Sequence, residues 1–146
     1  MESLDAQSLL GLGSLKILDM SFNKISELPE HIFQWLGSLK IFNISFNFLS
    51  DAQYVSSMLE AFPQLESLNL AGNQFNEIPI LSSLPGLKKV DLSKNRIPNL
   101  PSGKFDSLLQ LTEINLNGNQ ITWIDGNVFT TLKSLQVLDL SKGLIA

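Results

Sequence analysis

Apolar residues along this chain follow neither of the two simple periods. In the stretch LDMSFNKISELPEHIF, Leu18 and Met20 alternate as a strand would, and the alternation then stops. Helical spacing, with apolar residues at i, i+3, i+4 and i+7, never settles either. A longer period organises the pattern. LKILDMSFNKI begins at Leu15, LKIFNISFNFL at Leu39 and LESLNLAGNQF at Leu65. LKKVDLSKNRI begins at Leu87, LTEINLNGNQI at Leu111 and LQVLDLSKGLI at Leu135. The starts lie 24, 26, 22, 24 and 24 residues apart. Each block reads apolar-x-x-apolar-x-apolar-x-x-Asn-x-apolar, except that Gly143 stands in the last Asn position.

The segments between blocks repeat as well. Leu28, Phe33 and Leu36 lead into Leu39 in the same steps by which Leu100, Phe105 and Leu108 lead into Leu111. Ile124, Phe129 and Leu132 lead into Leu135 likewise. Leu4, Leu9 and Leu12 precede Leu15 in phase, so residues 1–14 are the tail of a preceding repeat. The chain divides into a partial repeat at 1–14, repeats starting at 15, 39, 65, 87 and 111, and a partial repeat at 135–146, all one array.

This pattern resembles the leucine-rich repeat. The 24-residue form with Phe in the tail, as in LPEHIFQWLGSL and LPSGKFDSLLQL, is similar to the class found in animal extracellular proteins, and LDMSFNKI resembles the wording of Toll-like receptor ectodomains. The resemblance implies a right-handed α/β solenoid with a parallel sheet on its concave face. Its convex side would be irregular, 3₁₀ or short-helical.

Physical reasons agree with that architecture. One repeat cannot bury its own leucines, so neighbours must stack on it. Leu18, Phe42, Leu68, Val90, Ile114 and Leu138 should form one interior file, with the residues on either side of each facing outward. Asn23, Asn47, Asn73, Asn95 and Asn119 end the strands, where backbone groups lose their ladder partners. An Asn amide both donates and accepts, so these five should form a structural ladder. Phe33, Phe105 and Phe129 should stack as a spine. Within SDAQYVSSMLEAF, Ser50 and Gln53 fit a capping box. Val55, Met58, Leu59 and Phe62 have helical spacing and Pro63 stops the run, which predicts a short helix. The 22-residue repeat should cross by a tighter path through IPILSSLPG.

Specificity should lie in the variable outward positions. One column is Ile17, Ile41, Ser67, Lys89, Glu113 and Val137; the next is Asp19, Asn43, Asn69, Asp91, Asn115 and Asp139. Ile17 and Ile41, flanked by Phe22 and Phe46, suggest an apolar patch of the kind that marks a protein contact. The alternative for the two Phe residues is a stack on each other at the lip. The binding set expected on the concave face is Ile17, Asp19, Phe22, Ile41, Asn43, Phe46, Lys89, Asp91 and Glu113. Asn43 also opens an Asn-Ile-Ser glycosylation sequon, and a glycan there would block part of that face. Trp35 and Trp123 fall in tails, where convex-side packing is expected.

Composition narrows the class. With 44% hydrophobic and 16% charged residues the chain should pack a core. No run approaches the roughly 18 apolar residues of a spanning helix, and the opening residues, with Glu2 and Asp5, do not look like a signal peptide. A net charge of −4 argues against nucleic acid as a partner. There is no cysteine, and hence no disulfide or Cys-based metal site. The first eight residues of the blocks hold six lysines and five acids, whereas the rest of the chain is acidic. His31 is the only histidine and lies in a tail, so no nucleophile–base pair is apparent. Asp91 and Asp139 fall two strands apart, roughly 9–10 Å, yet both belong to the repeated LDLS wording.

The expectation is a non-catalytic protein-interaction module, with no cofactor, no metal and no membrane contact in this segment. Two fuller readings stand: a ligand-sensing Toll-like ectodomain fragment, implied by the resemblance, and a cytosolic repeat scaffold. The resemblance favours an extracellular setting. Neither end carries a polar cap, which suggests an excerpt of a longer array, or a dimerising or capping partner.

Overall fold

The computed structural model describes residues 3–146, so the partial repeat at 1–14 is seen from residue 3 and Glu2 lies outside the described residues. The chain winds as a solenoid. Its strands are β1 (Ile17–Asp19), β2 (Ile41–Asn43), β3 (Ser67–Asn69), β4 (Lys89–Asp91), β5 (Asn99–Leu100), β6 (Glu113–Asn115), β7 (Trp123–Ile124) and β8 (Val137–Asp139), and one helix, α1, spans Ala52–Leu59. A six-stranded parallel sheet runs in the order β1-β2-β3-β4-β6-β8.

Each strand of this sheet has three residues, and only the middle one turns inward. Leu18, Phe42, Leu68, Val90, Ile114 and Leu138 pair in one register across all six. The four in the centre of the array are buried, whereas Leu18 is half-buried and Leu138 is exposed. The end coils each lack one neighbour, which is the geometry of stacking rather than a weakness of those residues. The file is continuous with the block-opening leucines Leu39, Leu65, Leu87 and Leu111, none of which has any exposed surface.

The same backbone bonds recur in each coil. The carbonyl of Lys16 accepts from both Lys40 and Ile41 N–H, and those of Lys40, Glu66, Lys88 and Thr112 each accept an equivalent pair one coil on. After the strand, the side chain at the fifth block position folds onto its own chain. Asp19 accepts from Ser21 N, Asn43 from Ser45 N, Asn69 from Ala71 N, Asp91 from Ser93 N, Asn115 from Asn117 N and Asp139 from Ser141 N. A short side-chain acceptor two residues before an N–H makes this turn, which accounts for the Asp/Asn column.

The ninth-position asparagines complete the bend. Asn47 Oδ1 accepts from Ile25 N at 3.0 Å, while its Nδ2 donates to Met20, Ile44 and Ser45 carbonyls. Asn73, Asn95 and Asn119 link to the preceding coil in the same way and are buried. Asn23, in the first full coil, donates to Met20 and Ser21 carbonyls and stays half-buried.

Several local details differ from the sequence-based expectations. The N-cap of α1 is Asp51, not Ser50: its backbone is extended and its carboxylate accepts from Tyr54 N at 3.0 Å. Phe62 lies past the helix end and joins the interior instead. The Phe spine is broken. Phe105 and Phe129 stack at 6.1 Å, but Phe33 packs on Phe42 and Phe62, because Leu59 and Leu81 hold the intervening spine positions. A second parallel sheet, β5 with β7, forms on the convex side. It is built where two 24-residue coils have tails of equal length, so their backbones run in register.

Candidate functional site

The outward residues of the sheet present three lanes. Along the strand starts, Ile17, Ile41, Ser67, Lys89, Glu113 and Val137 stand side by side. Ile17 is 60% exposed and Ile41 40%. Lys89 and Glu113 face each other at 3.8 Å. The middle lane is the polar stripe of Asp19, Asn43, Asp91 and their serines. Asn43 Oδ1 accepts from Ser45 Oγ at 2.7 Å and its Nδ2 donates to Asp19 at 3.3 Å, so the sequon amide is engaged in the sheet surface. Hydrogen bonds from Ser21, first from its hydroxyl and then from its N–H, hold the Asp19 carboxyl below the usual range; Ser141 does the same to Asp139. Asp91 and Asp139 are separated by Asn115, as the order β4-β6-β8 requires.

The third lane is the lip just past the strands, where the eighth block position is left-handed in every coil. Phe22, Phe46, Gly72, Lys94, Gly118 and Lys142 have φ between 53° and 71°. Glycine enters this region freely, whereas a bulky side chain there is a conformational outlier. Phe22 and Phe46 nevertheless occupy it. Their rings stack at 4.6 Å with 5° between planes, and Phe22 remains 76% exposed. Gly72 makes room for this stack, since a Cβ on it would fall 2.4 Å from the Phe46 ring. Lys94 Nζ lies 5.5 Å from the Phe46 ring centre.

The two isoleucines and the two phenylalanines do not merge into one patch, as the sequence suggested. The hydrogen-bonded stripe of Asp19, Ser21, Asn43 and Ser45 runs between them. A further exposed aromatic, Phe48, lies two residues beyond Phe46. The signal for it was present at the tenth block position, where Lys24, Gln74, Arg96 and Gln120 are polar. Of the two tryptophans, Trp123 on β7 is 52% exposed, against the packing expectation, whereas most of the surface of Trp35 is covered, at 36% exposed.

At the opposite edge, Glu66 accepts from Lys40 and Lys88, each at 3.0 Å. Hydrogen bonds from Lys88 and then Lys40, with their charges, hold the Glu66 carboxyl below its ordinary value. A carboxyl depressed in the folded state contributes stability above its unfolded value and loses it as pH falls through the folded one. The unfolding midpoints of the wild type and Glu66→Gln should therefore converge on acidification through that window, and a gap independent of pH would contradict the assignment. Among the described residues no group of three His, Cys, Asp or Glu is placed to hold a metal, and no helix is long and apolar enough to cross a membrane.

The "Leucine rich repeat" family model matches residues 13–75 and 85–145, and a two-copy repeat model matches 63–103. Leucine-rich repeat-containing G-protein coupled receptor 5 of Rattus norvegicus is 32% identical over 138 residues, covering 94% of this chain and 12% of the receptor. Human leucine-rich repeats and immunoglobulin-like domains protein 1 is 32% identical over 140 residues, covering 93% and 10% respectively. The chain thus spans a small part of these relatives. Among solved structures, TLR13, a Toll-like receptor crystallised in complex with ssRNA13, superposes with a TM-score of 0.82 at 26% identity, covering 96% of this chain and 20% of that one.

Proposed function

The chain belongs to the leucine-rich repeat family, and from that premise we propose that it is a non-catalytic module that binds a protein partner on the concave face and lip of its first two full coils. The observation that carries this reading is the Phe22–Phe46 stack. Two large rings keep a left-handed backbone that elsewhere in the array falls to Gly or Lys, and Phe22 keeps it while 76% exposed. Left-handed backbone under a bulky side chain costs about 1–3 kcal/mol per residue, and such strain clusters at functional sites. Ile17 and Ile41 supply the second apolar anchor across the polar stripe.

In this reading Asp19 and Asn43 form the polar seam between the anchors. Lys89, Asp91 and Glu113 form a charged rim that sets orientation. The setting is extracellular, as part of a longer receptor-like chain of the Toll-like kind, and the receptors among its relatives support this. A cytosolic scaffold is the weaker alternative.

The test is capture of extracellular proteins by the immobilised chain, compared with Ile17→Glu/Ile41→Glu and with Phe22→Ala. Removing anchors that a partner would cover should weaken retention of a true partner at least about tenfold, with circular dichroism unchanged. Retention undiminished in both variants moves the interface off this face. Because the TLR13 structure holds an RNA, a single-stranded RNA oligonucleotide is the second probe, and tight binding of it would replace the protein reading.

A further inference from the structure

The 26-residue coil does more than absorb two extra residues. Its helix α1 stands beside the tail of the preceding coil and leaves a groove of about 610 Å³ between them. One end is pinned: the Tyr54 hydroxyl accepts from Leu28 N at 2.8 Å and donates to Leu28 O at 3.1 Å. On the helix side the groove is walled by Tyr54 and Met58, one turn apart on α1, and by Ala61 just past the helix end, and all three are half-buried. The facing wall runs from Pro29 to Gln34 over the buried Ile32 and Phe33.

The rims are acidic. Glu30 stands on the tail wall and Glu60 at the helix end, and the lining contains no Lys or Arg. Glu27 adds its field at Tyr54, whose phenol is pushed up chiefly by burial. His31, 3.1 Å from Glu30, has φ +61°, at the position that Gly103 fills with φ +90° three coils on. A glycine would hold that turn without strain, so a side chain has been kept at the rim at a conformational cost.

We propose that this groove is a second contact site, separate from the concave face, for a protein segment that carries a basic side chain between apolar ones. The aliphatic stem of the Lys or Arg lies along Met58 and Ala61, and its charge reaches the Glu30 or Glu60 carboxylate. Met58 adjusts to the neighbouring apolar groups. The volume falls in the range that encloses a few side chains, roughly 300–1,000 Å³.

Nuclear magnetic resonance titration of the whole isotope-labelled chain tests this. The probes are acetyl-Leu-Arg-Leu-amide, its citrulline analogue, and free arginine. The Met58 methyl and the Ile32 and Ala61 amides should shift saturably with the arginine peptide, with about fivefold weaker binding of the citrulline peptide. Glu30→Gln/Glu60→Gln should erase that preference, and Ile17→Glu/Ile41→Glu should leave it intact, which separates this site from the concave one. Equal affinity for the two peptides overturns the proposal, as do shifts confined to the concave strands. Free arginine binding as tightly as the peptide would make it a small-cation site instead.

Discussion

Asn73→Ala is expected to lower the unfolding free energy by about 3 kcal/mol. The side chain is buried and makes four bonds at once. Its Oδ1 accepts from Leu49 N at 3.0 Å, and its Nδ2 donates to the carbonyls of Ile44, Leu70 and Ala71 at 3.1 to 3.3 Å. The carbonyls of Ile44 and Leu70 retain other donors, from Asn47 and Asn95. The N–H of Leu49 has no other acceptor, and Leu49 is fully buried. An orphaned buried donor costs about 1–3 kcal/mol, to which the lost amide bonds add. Asn73→Asp should be no better, because a carboxylate accepts from Leu49 but faces three carbonyls with nothing to donate. Asn23→Ala is the internal comparison. It is half-buried, and among the described residues no N–H of a preceding coil donates to it, so its loss should stay under about 1 kcal/mol. Urea unfolding measures all three, and an Asn73→Ala loss as small as that of Asn23→Ala would contradict the ladder account.

Phe62→Ala should cost still more, about 4 kcal/mol. Phe62 has no exposed surface and closes a triangle of rings, 5.1 Å from Phe33 and 5.0 Å from Phe42, which are themselves 5.3 Å apart. These rings come from two successive coils, so truncation opens a cavity between coils and removes two aromatic contacts. Phe62→Leu should cost less than about 1.5 kcal/mol, since Leu36, Leu84, Leu108 and Leu132 fill the equivalent place elsewhere. The damage should stay local, because each coil of a solenoid touches only its neighbours. Amide exchange in Phe62→Ala should quicken first across residues 33–68, while β6 and its flanks remain protected. Uniform acceleration along the array would show that the coils unfold as a single unit.

Much of the fold was legible because it repeats. The inward file from Leu18 to Leu138 and the asparagines from Asn23 to Asn119 occupy positions that recur in every coil and that the inner coils bury alike. Six copies of the file and five of the asparagine leave one visible pattern. Less of the candidate site was legible. The exposure of Phe48, the left-handed backbone under Phe22 and Phe46, and the polar seam dividing the isoleucines from the phenylalanines all concern outward positions, where the period places few restrictions on residue type. The Asp51 cap was missed by one residue because Ser50 and Asp51 are both competent acceptors, and only the point at which the backbone enters the helix selects between them.

The sequence by itself determined the coil length, the interior file and the residues that end each strand, because burial and backbone satisfaction impose the same chemistry at every turn. Only the tertiary structure decided what stands beside what between turns. It set Phe22 on Phe46 over Gly72, joined β5 to β7, and opened the groove between α1 and the preceding tail. Those contacts link residues some two dozen apart through side chains that differ from coil to coil. Their outcome depends on the exact stagger of neighbouring coils, which a repeating pattern does not encode.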